Sequence, residues 1–215
     1  MILSVIVPVY NEAKTIKQVI DRIIAVPIEK EIIVVDDSST DGTDKILRDL
    51  RYDNLKVIHH SSNRGKGAAV VTGIPHALGD YVIVQDADLE YDPADYLKLM
   101  DAIQKGEGEL ILGSRFTEGY HGMKIPKAGN RLLTGLVNIL FGVKLNDCFS
   151  CYKLIRRQDL LGLSLISNSF DIEIEILAKV IRRKMRIKEV PITYNPRTYQ
   201  EGKKIRILDG IWAAL

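Results

Sequence analysis

Apolar residues in this chain fall into short β-branched runs, separated by stretches in which they recur every third or fourth position. Leu3 to Val9, Glu31 to Asp36, Leu55 to His59, Asp80 to Gln85 and Glu109 to Gly113 read as strands. The clearest helical pattern is Ile16, Val19, Ile20, Ile23 and Ile24, preceded by Asn11 and Glu12, which can cap its start. Further helices are predicted at Thr43 to Leu50, Gly67 to Leu78 and Pro93 to Gln104. The last opens with a proline, whose missing N–H costs nothing in a first turn. Strict alternation of strand and helix predicts an α/β fold: a Rossmann-like, three-layer, mostly parallel sheet with helices on both faces. From Ser114 the pattern changes to a long loop, an apolar helix at Lys127 to Phe141, a helix at Asp171 to Arg183 and a short strand at Ile187 to Ile192.

With 215 residues, 46% of them hydrophobic, the chain can bury one substantial core, and no low-complexity linker divides it. The expected organisation is a single domain, 1–215, with halves at 1–113 and 114–215. A net charge of +2 is too mild to imply nucleic acid. Cys148 and Cys151 lack the second pair that a structural zinc site needs, and they read as buried thiols in a reducing cytoplasm. The run Ile2 to Val9 is short and without a basic leader, so it reads as a first strand rather than a signal peptide. No stretch reaches the roughly 18 to 20 uninterrupted apolar residues of a membrane span. The chain stops within an amphipathic pattern, Ile205 to Leu215.

Polar clusters follow the predicted strands, where open parallel sheets gather their ligands. Pro8-Val9-Tyr10-Asn11-Glu12 follows the first and Asp36 to Thr43 the second; Asn63-Arg64-Gly65-Lys66-Gly67-Ala68-Ala69 follows the third and leads into a helix whose N-terminus favours an anion. After the fourth comes Asp86-Ala87-Asp88, two carboxylates at i and i+2 on one side of an extended chain. Such a pair suits a hard divalent cation that also takes phosphate oxygens. Each cluster also has a plainer reading: a solvated turn, a helix cap or a tight glycine bend. Four on one rim are hard to produce by turn chemistry alone.

In their order and spacing, Pro-Val-Tyr-Asn-Glu, Asp-Asp-Ser-Ser-Thr-Asp-Gly-Thr, Gly-Lys-Gly-Ala-Ala, Asp-Ala-Asp-Leu and Gly-Ser-Arg resemble the family 2 glycosyltransferases of GT-A fold. Within them the chain resembles the branch of dolichyl-phosphate mannose synthase and related polyprenyl-phosphate sugar transferases. Gly129-Asn130-Arg131, Asp147 to Lys153, Glu189-Val190-Pro191-Ile192, Arg197 and Gly202-Lys203-Lys204-Ile205 extend the match over nearly the whole chain. The resemblance implies a nucleotide-sugar-binding first half and an acceptor-binding second half. It implies that Pro8, Tyr10, Glu12, Val35, Asp37, Lys66, Asp86 and Ala87 bind the nucleotide sugar. Asp88, with Asp86 and Glu90 beside it if the chain stays extended, would hold Mg2+ or Mn2+, which offsets the charge of the departing nucleoside diphosphate.

The acceptor separates two readings. A hydroxyl is a poor nucleophile until a base deprotonates it, whereas a phosphomonoester with a second pKa of about 6 is already largely dianionic near neutrality. A phosphate acceptor needs cationic positioning instead; the chain offers Arg115, Arg131, Arg197, Lys203 and Lys204, and the resemblance implies that role for Arg115, Arg197 and one of Lys203 and Lys204. The leading expectation is inverting transfer of a hexose from a nucleotide sugar of the GDP-mannose or UDP-glucose type to a polyprenyl phosphate such as dolichyl or undecaprenyl phosphate. Asp86, Asp88, Arg115 and Asp147 form the catalytic set, at the cytoplasmic membrane face. The alternative is transfer to a saccharide or protein hydroxyl with Asp147 as general base. Cys151 stands where the family often has glycine and Lys153 where it often has arginine, departures that bear on the acceptor more than on the donor.

Along Lys127 to Phe141, Asn130, Thr134 and Asn138 make a polar stripe opposite a wide apolar face of Leu132, Leu133, Leu136, Val137, Ile139, Leu140 and Phe141, flanked by Lys124, Lys127, Arg131 and Lys144. This pattern fits, first, a core or dimer contact and, second, peripheral attachment to a membrane interface.

Overall fold

The computed structural model describes residues 1–116 and 124–197, with the backbone alone at 124–128. Seven strands form one sheet among the described residues: β1 Leu3–Val9, β2 Lys30–Asp36, β3 Leu55–His59, β4 Tyr81–Val84, β5 Leu110–Ser114, β6 Lys153–Arg156 and β7 Ile187–Pro191. Their order is β3-β2-β1-β4-β6-β5-β7. β1 pairs in parallel with both β2 and β4, and β5 with β7; β6 runs antiparallel to β4 and β5. The helices are α1 Ile16–Ala25, α2 Thr43–Asp49, α3 Lys66–Gly73, α4 Tyr96–Gln104, α5 Lys124–Phe141, α6 Arg157–Gly162 and α7 Ile172–Arg182. The α/β expectation is met, and the predicted strands agree with those observed to within a residue or two.

The strands have near-continuous apolar runs because both sheet faces are covered: every residue of β1 and β4 is buried, as are Ile32 to Asp36 of β2. α1 lays Ile16, Val19, Ile20 and Ile23 into this core, each such burial contributing about 1.5–3 kcal/mol. It ends at Val26 in an extended conformation, with Pro27 next to prevent continuation. Its start differs from expectation. The helix begins after Thr15, and Asn11 and Glu12 do not cap it with their side chains; Asn11 Oδ1 accepts from Thr40 N at 2.7 Å. The helix predicted to run to Leu78 stops at Gly73, and Ile74–His76 tightens into a 3-10 turn because Pro75 has no N–H to continue the ladder. Pro93 does open a helical segment, first a 3-10 turn, with Asp92 Oδ1 accepting from Ala94 N at 3.0 Å.

Two elements went unpredicted, β6 and α6, and β6 matters most. It inserts Leu154 and Ile155 between β4 and β5 and joins the two halves into one sheet. The strand order reverses around β1, with β2 on one side and β4 on the other. The crevice beyond their carboxyl ends is the topological switch point, where open α/β sheets bind ligands.

Candidate functional site

Chain segments leaving β1, β3 and β4 bring Glu12, Lys66, Asp86 and Asp88 to that crevice, and α7 and the segment after β7 add Glu173 and Arg197. β4 ends at Val84, and Leu89 turns the chain at φ +65°, so Asp86, Asp88 and Glu90 occupy a turn, not an extended strand. Asp86 Oδ1 meets Lys66 Nζ at 2.6 Å. Asp88 Oδ2 lies 3.3 Å from Arg197 Nη2, and Arg197 also spans both oxygens of Glu12 at 3.1 Å. Glu90 is directed elsewhere: its oxygens accept from Tyr194 Oη at 2.6 Å and from Arg197 N at 2.9 Å. The condition under which Glu90 would join the pair, an extended chain, is not met. Thr15 Oγ1 lies 2.7 Å from Ala87 O and 2.9 Å from Glu12 Oε2, tying α1 to the turn.

The electrostatics are those of crowded anions. Burial, with Asp86 and Glu90 nearby, pushes the Asp88 carboxyl up to about 7, although Arg197 pulls the other way. Burial works against charge on Lys66, yet Asp86, Cys151 and Glu173 outweigh it and hold the ammonium well above its ordinary value. Among the described residues no group of three or more His, Cys, Asp or Glu is arranged as a metal cage. The donor chemistry of Asp86 and Asp88 nevertheless fits a hard dication that takes most ligands from phosphate and water. Two close carboxylates, one raised by its neighbours, would be relieved by such an ion.

The remaining residues expected at the donor lie at or just beyond the ends of β1 and β2. Pro8 and Val35 are register partners in adjacent strands and both are buried, Val35 completely; Tyr10 is exposed at the end of β1. Asp37 is buried, and its carboxylate accepts from His60 Nδ1 or shares its proton at 2.7 Å, and from Arg64 N and Gly65 N at 2.8 Å each. Asp37 thus anchors the glycine loop that carries Lys66. Asp41 follows the plainer reading: it accepts from Thr43 N and Thr43 Oγ1 at the start of α2.

A second cluster lies toward α5. Arg115, just beyond β5, grips Asp147 through Nε at 2.7 Å, Nη2 at 2.8 Å and its backbone N at 3.0 Å. Asp147 is wholly buried, and Asn130 Nδ2 approaches it at 3.4 Å. Glu189 of β7 fixes the Asn146–Asp147 turn through both backbone amides. The Tyr194 ring lies 5.1 Å from the Arg115 guanidinium while its hydroxyl reaches Glu90, so one side chain joins the two clusters. Arg131 stands apart, exposed on α5. Lys203 and Lys204 lie outside the described residues.

α5 is inverted in part: Val137 is buried in the core and Phe141 packs against it, as an apolar face should, but much of the rest is turned the other way. Its polar stripe faces the protein: Asn130 approaches Asp147, Thr134 Oγ1 accepts from Cys148 N at 3.4 Å, and Asn138 bonds both the N and O of Leu145. Leu132, Leu136, Ile139 and Leu140 are exposed, Ile139 to 81%. Cys148 and Cys151 are buried free thiols. Among the described residues no helix is long and apolar enough to cross a membrane.

Sequence reasoning missed Glu173, His60 and Tyr194. Glu173 sits in an ordinary amphipathic helix pattern, and only the fold reveals that it meets Lys66 at 2.5 Å.

Comparisons with known proteins agree with this architecture. Dolichyl-phosphate beta-glucosyltransferase of Saccharomyces cerevisiae is 33% identical over 224 residues, covering 90% of this chain and 66% of that protein. Polyprenol monophosphomannose synthase of Mycolicibacterium smegmatis is 31% identical over 209 residues, covering 90% of this chain and 77% of that protein. The chain spans only 48% to 63% of the length of three other curated relatives it matches. The crystal structure of glucosyl-3-phosphoglycerate synthase from Mycobacterium tuberculosis, in complex with Mn2+, UDP and phosphoglyceric acid, superposes with a TM-score of 0.71. That likeness covers 93% of this chain and 72% of that one at 23% identity, and it speaks for a shared GT-A type fold. Residues 4–162 match the family model described as glycosyl transferase family 2. The chain belongs to glycosyl transferase family 2.

Proposed function

We propose that the chain transfers a hexose, with inversion, from a nucleotide sugar to a polyprenyl phosphate at a membrane surface. The observation that carries this reading is the Arg115–Asp147 pair. Asp147 is the acid in the second half that a hydroxyl acceptor would need as base, yet both its oxygens are held by one guanidinium in a buried setting. With both oxygens occupied by one guanidinium, this carboxylate is not directed at an acceptor hydroxyl, and a phosphate acceptor requires no base. The curated relatives named for dolichyl-phosphate and polyprenol-monophosphate products support the same acceptor class.

On the donor side, Tyr10, Glu12 and the Lys66 loop border the crevice, and Asp86 and Asp88 are the residues that would hold Mg2+ or Mn2+. When bound, such an ion would neutralise charge on the departing diphosphate. Lys66 and Arg197 add positive charge beside the same turn, where a leaving diphosphate gathers negative charge. Arg197 sits against Glu12 and Asp88 at the same turn, and we assign it to the acceptor phosphate. The exposed leucines of α5 suit the interface of a bilayer, where their apolar surface would leave water.

A panel of nucleotide sugars, each with and without polyprenyl phosphate and Mg2+ or Mn2+, tests the reading by following labelled lipid. Labelled lipid phosphate from one GDP- or UDP-hexose is the expected product; turnover without any lipid, or only with saccharide acceptors, would refute it.

A further inference from the structure

Lys66 bridges two carboxylates, Asp86 at 2.6 Å and Glu173 at 2.5 Å, and all three side chains are largely buried. The bridge depends on close backbone packing. A Cβ on Gly65 would meet Asn168 O at 2.1 Å, and one on Gly67 would meet Ser167 O at 2.4 Å. The two glycines therefore let the segment leading into α7 lie directly on the loop that carries Lys66, and Ala68 N donates to Asn168 O at 3.3 Å. The Phe170 ring closes the same side, 5.8 Å from Lys66 Nζ.

Glu173 is costly where it stands. It belongs to the face of α7 that buries Ile172, Ile176, Leu177 and Val180, and among the described residues its Oε2 is buried without a partner. Glu173 also borders a cavity of about 10 Å³, room for at most one water, which is lined by Lys153 as well. Buried ion pairs of this kind seldom add net stability relative to apolar packing. Its consequence lies at Asp86 instead: a lysine shared between two carboxylates neutralises neither completely.

We infer that Glu173 is a positioning residue of the donor site, holding Lys66 as a shared cation so that Asp86 keeps negative charge for the divalent ion of the donor complex. This rests on the proposed donor reading, in which Asp86 and Asp88 hold that ion. In Glu173→Gln the shape is retained and the whole charge of Lys66 falls on Asp86.

The test is Mn2+ affinity of the whole chain, read by electron paramagnetic resonance, together with thermal melting. Glu173→Gln is expected to raise the Mn2+ Kd about tenfold while moving the melting temperature by only a few degrees. In a Lys66→Met background, Glu173→Gln should leave the Mn2+ Kd unchanged within about twofold and raise the melting temperature, since it removes a buried carboxylate that has lost its partner. An unchanged Kd in the first comparison, or the same tenfold loss in the second, overturns the inference alone. Absence of saturable Mn2+ binding by the wild type, or wild-type affinity in Asp88→Ala, would overturn the donor reading and this inference with it.

Discussion

The two charged clusters joined by Tyr194 use the same kinds of side chain in opposite ways. Around the Asp86–Asp88 turn, Glu12, Asp86, Asp88 and Glu173 share Lys66 and Arg197, so the anions outnumber the cations and at least one, Asp88, is held well above its ordinary range. In the second cluster Asp147 and Arg115 are matched one to one with bidentate geometry. A matched buried pair is a structural unit that resists exchange, whereas an under-neutralised cluster invites an external cation. On the proposed function, the contrast gives exchange chemistry to the first cluster and scaffolding to the second.

Breaking the matched pair should have the largest effect. Arg115→Met leaves Asp147 charged and buried without its partner, and a loss of about 3–5 kcal/mol in unfolding free energy is expected by denaturant titration. Arg115→Met combined with Asp147→Leu should recover most of it, because neither charge remains; no recovery would show that the pair is not the scaffold described. Asp88→Ala comes next, with hexose transfer falling about 10²–10³-fold and stability held or improved. A full-rate Asp88→Ala enzyme would erase the difference between the two sites.

A pH profile sharpens the contrast further. Asp88 is raised from an ordinary carboxylate value to about 7 in the fold, so between about pH 4 and 7 the unfolded chain has released a proton that the native chain retains. Its contribution therefore makes stability fall as pH rises through that window, with the cost complete above about 7. Mn2+ competes with that proton, so its affinity should climb by up to about tenfold per pH unit below 7 and level off above it. Asp88→Asn should flatten both curves, and persistence of the slope would place the titrating group elsewhere. The smallest expected effect is on α5: replacing Leu132 and Ile139 with serine should weaken binding to anionic vesicles several-fold and change the unfolding free energy by no more than about 0.5 kcal/mol per site, since both side chains are exposed.

Much of the fold could be read from the sequence because buried parallel strands carry unmistakable apolar runs, as in Leu3–Val9 and Ile32–Val35. Lys153–Arg156 escaped notice for the opposite reason: four residues with a charge at each end give no periodicity, and only pairing with β4 and β5 makes them a strand. Asp86, Asp88, Lys66 and Arg197 were found because they follow strand ends or stand in ordered motifs. Glu173 was not, since a glutamate in an amphipathic helix looks like any solvated charge until the fold turns it inward. α5 shows the limit of periodicity most clearly. Its polar and apolar stripes were both legible, but a stripe does not say which side meets the protein, and here Thr134 is the buried one and Ile139 the exposed one.

The most direct test of the phosphate-acceptor reading compares transfer of a labelled hexose to a polyprenyl phosphate and to the matching polyprenol, under identical metal and donor conditions. The account predicts labelled lipid from the phosphate and none from the alcohol. Transfer to the alcohol that disappears in Asp147→Asn would contradict it, and would make the buried Asp147 a base rather than a brace.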